Sequence, residues 1–401
     1  MTRRPLILVA AALAALAVAA SACSGDDEAA GPATSTSTAA ETDPSEAAGL
    51  EDCAAVADAD AARDCYGEAL SALMRDADDP TAALGDIAVA AYTDPSGRLL
   101  GDCHGLMHTV GREFAADHDV TLETLMTYLP QTNEPGCSAG FAHGLVTGVA
   151  PEFDLGDPES SAAVCEHTDT RYQRYSCIHG FGHAFMRLVR EDLMEALKLC
   201  SALGADAPDC SQGAFHDYWF AAIGADDTEP PETLIDDPRE LCGAQAEEFV
   251  RPCWYRAFVD DRPDQPVDSA AAILALCEGL DGLQRQACIT AASVVGPPDP
   301  SVQLSYCAEL EGEEAVSCIR GAKVQNLITS PPEDLVALIR RCEGFPRETG
   351  LACYRWLGKV LAVLTNGEFE QFGCEALPDA GSRRACVQGA GEIDEPLVTF
   401  S

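Results

Sequence analysis

The chain has 401 residues and a formal net charge of −41, from 66 acidic and 25 basic residues. A field this negative repels polyanions, so the composition excludes nucleic acid and anionic lipid headgroups as partners. It attracts cations and basic partners only in a general way, and its simplest role is solubility in a salty or acidic exterior.

The first segment is organised like an export signal. Two arginines precede an apolar stretch from Leu6 to Ala20, and small residues then lead to Cys23. Residues 1–22 resemble a bacterial lipoprotein signal peptide, in which Cys23 becomes the lipid-modified first residue of the mature chain and carries palmitate. Ala20 stands where that family prefers leucine, and an ordinary secretory signal is the alternative interpretation.

This resemblance implies a chain anchored through its N-terminal lipid to the extracytoplasmic face of the cell membrane. Residues 23–48 are rich in Ser, Thr, Ala, Asp and Glu and lack hydrophobic periodicity, which predicts a disordered tether. The apolar stretch of the signal is short and alanine-rich, and no other stretch is long enough to predict a membrane span.

Cysteine usage agrees with export. Setting Cys23 aside leaves 18 of the 19 cysteines, an even number that predicts nine disulfides. Short CxxC spacings are absent, which disfavours zinc or iron–sulfur sites built from these cysteines. Cys103 and Cys137 have no nearby partner and are predicted to bond to each other. The other eight predicted pairs are Cys53 with Cys65, Cys165 with Cys177, Cys200 with Cys210, Cys242 with Cys253, Cys277 with Cys288, Cys307 with Cys318, Cys342 with Cys353, and Cys374 with Cys386.

The second cysteines of these pairs recur about every 30 to 43 residues from Cys177 to Cys386, which is the period of αα-hairpin repeats. An apolar stretch ends near each first cysteine and another begins near each second one. We therefore predict one helix ending at the first cysteine and its partner starting at the second. The fold class is all-α, a continuous hairpin-repeat solenoid or curved toroid stapled by about nine disulfides.

The repeats resemble tetratricopeptide and Sel1-type repeats in their helix-pair period only, so no function carries over from those families. The chain as a whole is similar to an exported actinobacterial lipoprotein with cysteine-stapled repeats. A small residue often follows the second cysteine by three positions. Glycine within a helix costs about 0.5–1 kcal/mol relative to alanine, so its recurrence predicts close helix-to-helix contact. These positions are Gly140, Gly180, Gly213, Ala291, Gly321 and Gly389.

Six of the eight histidines share one register on four successive predicted helices. Four of them align on Gly-x-x-His, and two others precede an aligned histidine by four residues, about one helical turn. They lie in the histidine-bearing repeats of residues 49–222, whereas residues 223–401 continue the repeats without histidine. His118 and His167 fall outside the register and are interpreted as loop or surface residues. The six are His104, His108, His143, His179, His183 and His216.

Imidazole is the commonest protein ligand for transition metals, so six imidazoles aimed one way predict a metal site. Interleaved aromatic residues favour the neutral, metal-binding form. Glu113 and Asp217 are the nearby carboxylates, predicted as further ligands, as catalytic bases or as acceptors that orient an imidazole. An all-imidazole set suits Zn, Cu or Fe, and non-covalent haem between two histidines is a further alternative. The CxxCH, HExxH, P-loop, dinucleotide and GxSxG motifs are absent.

Two functions remain open from the sequence. The first is a membrane-anchored lipoprotein that binds a transition metal, with an open coordination position that activates water or oxygen in a metal-dependent enzyme. The second is a non-enzymatic scaffold at the cell surface, whose concave repeat surface binds a protein partner while the histidines pack. A solute-binding lipoprotein that feeds a transporter conflicts with the absence of βαβ alternation.

Overall fold

The structure is a computed structural model that describes residues 49–392, with gaps. The predicted signal segment, Cys23 and the predicted tether lie outside the described residues. The described residues form helices and turns with no strand, so the predicted all-α class is confirmed. None of the described helices combines the length and apolar character needed to cross a membrane. The gaps are positions 78, 95, 133, 135, 223–233, 262–266, 298, 323–331, 366, 368 and 370–372.

Nineteen α-helices occur in the described part of the chain, with short 3₁₀ and π segments between some of them. They are α1 (Leu50–Ala54), α2 (Ala59–Arg75), α3 (Pro80–Thr93), α4 (Arg98–Asp117), α5 (Leu125–Tyr128), α6 (Cys137–Gly148), α7 (Pro158–Ala162), α8 (Arg171–Leu188), α9 (Leu193–Ser201), α10 (Ala207–Ala222), α11 (Pro238–Gly243), α12 (Glu247–Arg256), α13 (Ala270–Leu276), α14 (Gly282–Val294), α15 (Pro300–Cys307), α16 (Gly312–Arg320), α17 (Pro332–Arg340), α18 (Arg347–Leu364) and α19 (Ala380–Ala390).

All nine predicted cysteine pairs are disulfides in the structure. The disulfide with the largest sequence separation, between Cys103 and Cys137, spans 34 residues and joins α4 to α6. The other eight span 10 to 12 residues and clamp one helical hairpin each. These eight join Cys53 to Cys65, Cys165 to Cys177, Cys200 to Cys210, Cys242 to Cys253, Cys277 to Cys288, Cys307 to Cys318, Cys342 to Cys353, and Cys374 to Cys386.

The hairpin clamps stabilise helices that are too short to persist alone. Helix α1 has five residues, and isolated helices shorter than about 12 residues are marginal in water. The bond from Cys53 in α1 to Cys65 in α2 ties this short helix to a long one. The disulfides therefore hold in place short helices that backbone hydrogen bonds alone do not stabilise.

The second helix of a hairpin starts before its cysteine rather than at it. Helix α8 begins at Arg171, six residues ahead of Cys177. Thr170 caps this helix, since its hydroxyl accepts from the backbone N–H of Gln173 at 3.1 Å and the Gln173 side chain returns to the Thr170 N–H at 3.1 Å. The polar connector therefore folds into the first turns of the helix, and the cysteine lies inside it.

The second helices of the hairpins pack in chain order into one row, and the first helices lie along its side. The row runs through α2, α4, α6, α8, α10, α12, α14, α16, α18 and α19. Helix α18 also contacts α8, so the row curves back toward its own middle. This curvature brings side chains from distant repeats to shared sites on the inner side of the row.

Glycine allows the histidine-bearing helices to touch along their backbones. A Cβ on Gly140 would lie 2.2 Å from the carbonyl oxygen of His104, and a Cβ on Gly213 would lie 2.0 Å from that of His179. No side chain fits at these distances. The recurrent small residue is therefore the contact point between α4 and α6 and between α8 and α10.

Candidate metal centre

All six register histidines lie in one cluster on the facing sides of α4, α6, α8 and α10. Ring centroids of contacting pairs are separated by 4.4 Å for His143 and His179, up to 6.0 Å for His179 and His216. The two other histidines lie apart. His118 stacks on Phe114 at 3.8 Å, and His167 is exposed, as expected for residues outside the register.

Three imidazole nitrogens converge at the centre of the cluster. The Nε2 atom of His108 lies 3.1 Å from Nε2 of His104 and 3.2 Å from Nδ1 of His143. Two nitrogens bound to one ion at tetrahedral geometry are separated by about 3.3 Å. A neutral imidazole nitrogen makes one in-plane hydrogen bond, so His108 Nε2 cannot satisfy both neighbours by hydrogen bonding. A cation bound between the three nitrogens could satisfy all of them.

Hydrogen-bond partners outside the cluster decide which nitrogen of two rings faces inward. The Nδ1 of His104 lies 3.2 Å from the carbonyl oxygen of Gly136, which only accepts, so Nδ1 carries the proton and Nε2 the lone pair. The Nδ1 of His183 likewise donates to Oδ1 of Asp217 at 2.6 Å. Carbonyl and carboxylate acceptors of this kind orient histidine ligands at metal sites.

Two buried nitrogens of the cluster have no hydrogen-bond partner among the described residues. They are Nε2 of His183 and Nδ1 of His216. The His183 ring contacts the rings of His108 and His216, with centroids 4.6 and 5.0 Å away. Leaving a buried polar atom unsatisfied costs about 1–3 kcal/mol, so these nitrogens add to the capacity of the cluster for an ion.

His179 has a different environment from the other five. Its Nε2 lies 3.3 Å from Nη2 of Arg256, a group that only donates, and its Nδ1 faces the hydroxyl of Tyr175 at 3.4 Å. A second possible metal triad, His143, His179 and His183, has ligand atoms within 4.8 Å of one another. The guanidinium already occupies the lone pair of His179, so the triad around His108 is the better ligand set.

The two carboxylates for which the sequence predicts the same roles lie in different places. Asp217 contacts the cluster through His183. Glu113 is exposed and accepts a hydrogen bond from Ser71 Oγ at 2.7 Å, so the structure does not bring it to the histidines. Five residues separate Glu113 from His108 on one helix, a rotation of about 140° net, which turns the carboxylate to another face.

Sequence reasoning missed the charged pair that borders the cluster. Arg256 and Asp260 are buried and lie 3.4 Å apart, with Asp260 also 4.0 Å from Nε2 of His216. Both lie beyond residues 49–222, in the part of the chain without histidine, and no motif marks them. Only the packing of α12 and of the following π segment, Ala257–Asp261, on α10 places them beside the histidines.

Burial sets the protonation of the cluster. It lowers the pKa of His108, His143, His179 and His216 well below the usual range. Repulsion from neighbouring imidazoles, when these are protonated, lowers the pKa of all four further. The charge of Arg256 does the same for His143, His179 and His216. The neutral imidazole that results is the form that binds metal. His104 and His108 are half-buried, so one side of the cluster is reachable from outside.

Comparison of the chain with protein-family models, curated proteins and solved structures finds no match.

Proposed function

We propose that this protein is a metal-binding protein of the cell exterior whose histidine cluster holds a transition metal ion. The observation that carries the proposal is the position of His108 Nε2, within 3.1 and 3.2 Å of two further imidazole nitrogens. The single Nε2 atom of His108 cannot hydrogen-bond to both neighbours, whereas a cation could bind all three nitrogens. His104, His108 and His143 would be ligands, and His183 would supply a fourth through its unpartnered Nε2.

The surrounding groups support the same assignment. Gly136 and Asp217 hold two rings with their proton on the outer nitrogen, and the Asp217 carboxylate partly balances the charge of an ion. Zn, Cu and Fe each accept imidazole ligands, so the ligand set does not choose between them. The half-buried faces of His104 and His108 leave a side from which water or oxygen can reach the ion, as a metal-dependent enzyme requires.

The cysteines and the N-terminal segment support the proposed location. Structural disulfides in this number are typical of an oxidising compartment, which fits the cell exterior. The resemblance of residues 1–22 to a lipoprotein signal supports an anchor at Cys23. Mass spectrometry of the protein from a bacterial host tests this anchor, because a Cys23→Ala variant should lose the acyl mass.

Metal content tests the proposed function directly. The untagged, disulfide-bonded chain from an export host should contain near-stoichiometric metal by elemental analysis. His108→Ala should lose it, because two short nitrogen contacts are removed, while the matched control His167→Ala should retain it. A wild-type protein that neither contains metal nor takes up added Zn, Cu or Fe would leave the histidines as packing and favour the scaffold function.

A further inference from the structure

A concentration of positive charge lies among the described residues in the part of the chain without histidine. A cavity of about 850 Å³ opens between α12, α14, α16, α18 and α19. Six of the chain's 25 basic residues line it, against one acidic residue, Glu392, among the described lining residues. In a chain with a net charge of −41, composition alone does not produce such a site. The six are Arg251, Arg320, Arg347, Arg355, Lys359 and Arg384.

The single carboxylate is already engaged. Glu392 accepts from Nε of Arg355 at 2.7 Å and from Nη2 of the same guanidinium. This pairing with Arg355, aided by the charge of Lys359, holds the pKa of Glu392 below its usual range. The described lining therefore carries six basic groups and one carboxylate, a net positive charge within a strongly acidic chain.

Two hydrogen-bond donors in the lining have no acceptor among the described residues. They are Nη1 of Arg251 and Nε1 of Trp356, both buried. The other terminal nitrogen of Arg251 donates to Oε1 of Gln286 at 3.1 Å. Burial and the nearby charge of Arg320 lower the pKa of Arg251 to about 10, against the opposing effect of the Glu313 carboxylate. A buried donor and a crowded cation are both costly, and one anionic acceptor relieves both.

Apolar side chains form part of the remaining lining, beside the polar Thr290 and Gln388. This apolar wall includes Ala287, Ala291, Val316, Leu351 and the ring of Trp356. The volume lies within the range of about 300–1,000 Å³ that small-molecule sites occupy. Inorganic ions alone would leave this wall without a partner, so the fitting ligand has both a charged and an apolar part.

We propose that this cavity is a second binding site, for a small organic anion that carries two or more carboxylate or phosphate groups on an apolar or aromatic body. Arginine presents a planar fork that matches both kinds of group with paired hydrogen bonds. Arg251 and Arg320 clamp the anionic groups, and the indole N–H of Trp356 donates to one of them. The site lies apart from the histidine register and does not depend on a metal.

Calorimetry on the purified, disulfide-bonded full chain tests the site with defined probes. The probes are benzene-1,3,5-tricarboxylate, inorganic pyrophosphate, and 1,3,5-benzenetrimethanol as the uncharged analogue with the same ring. At low salt we expect the tricarboxylate or pyrophosphate to bind and the triol not to bind. The tighter of the two anions identifies the anionic group as carboxylate or phosphate. Failure of both anions to bind, or equal binding of the triol, would overturn the proposal.

Variants assign the binding to the cavity. Arg251→Gln should weaken anion binding by about tenfold or more, since a charge-assisted hydrogen bond is lost. Arg75→Gln, which removes an exposed arginine paired with Asp117, is the matched control and should bind as the wild type does. The thermal midpoint of Arg251→Gln without ligand should not fall, because a crowded cation has been removed. Equal affinities in the wild type, Arg251→Gln and an Arg251→Gln/Arg320→Gln double variant would refute the site.

Discussion

His183 donates its Nδ1 proton to Oδ1 of Asp217 at 2.6 Å, across the contact between α8 and α10. This bond leaves the lone pair of His183 on Nε2, a buried nitrogen that has no hydrogen-bond partner in the described part of the chain. One carboxylate thus orients one imidazole toward the centre of the histidine cluster. Asp217 acts on the proposed ion through His183 rather than by direct contact.

Removing the Asp217 charge should weaken the metal site without unfolding the protein. We expect Asp217→Asn to lower metal affinity by about 10- to 100-fold, the usual cost of losing an acceptor behind a histidine ligand. Competition with a chelator of known affinity measures the change. Glu113→Gln is the matched control, because Glu113 lies on another face of α4 and accepts a hydrogen bond from Ser71 of α2. This variant should bind metal as the wild type does. An equal effect of both variants would contradict this role.

The metal-free protein should lose stability in mild acid. The pKa of His108, His143, His179 and His216 lies well below the ordinary value of 6.5 in the folded state, chiefly because of burial. The unfolded chain therefore binds protons first as the pH falls below about 6.5, and stability that is present above this pH is progressively lost. Thermal midpoints measured with a chelator at pH 8, 7, 6 and 5 check this.

The expected curve is flat from pH 8 to 7 and falls steadily toward pH 5. A His118→Ala/His167→Ala variant should show the same curve, since those rings lie outside the cluster. A midpoint that stays constant down to pH 5 would show that the cluster accepts protons in the folded state.

The close approach of α8 and α10 should be intolerant of a single methyl group. A Cβ at Gly213 would lie 2.0 Å from the carbonyl oxygen of His179, so Gly213→Ala must push the helices apart. We expect a loss of about 1–3 kcal/mol in the free energy of unfolding and weaker metal binding. Chemical denaturation and elemental analysis measure both.

A glycine with open space around it provides the comparison. Gly101 lies in α4 and has nothing within 4 Å of its would-be Cβ. Gly101→Ala should therefore raise stability by about 0.4–1 kcal/mol, because the unfolded chain loses freedom. If both alanine variants behaved alike, helix contact would not be the reason for glycine at position 213.

The disulfide between α4 and α6 should matter for metal binding more than the hairpin clamps do. The bond between Cys103 and Cys137 closes 34 residues and ties two histidine-bearing helices. Replacing both cysteines with serine should cost about 4 kcal/mol by loop entropy and should lower metal content. The same change at Cys307 and Cys318, which closes 11 residues in the part of the chain without histidine, should cost about 3 kcal/mol and leave the metal in place. Elemental analysis of both folded variants distinguishes them.

Much of the fold is readable in the sequence because it depends on local spacing. A helix returns to the same face every three to four residues, so the Gly-x-x-His register places four histidines in equivalent positions and two more one turn before them. Spacings of 10 to 12 residues predict eight cysteine pairs within hairpins, and the two cysteines without a near partner give the ninth. All nine predicted pairs are present. The recurrent glycine after the second cysteine indicates where the backbones touch.

Contacts between distant repeats depend on how the helices pack, and the sequence pattern does not contain this information. Only the structure separates Asp217, which orients His183, from Glu113, and only it places Arg256 on His179, 77 residues away in the chain. The same holds for the arginines between positions 251 and 384 that line the cavity, because they meet only where the row of helices curves. Local periodicity determined which residues share a helix face, and the curvature of the row decided which faces meet.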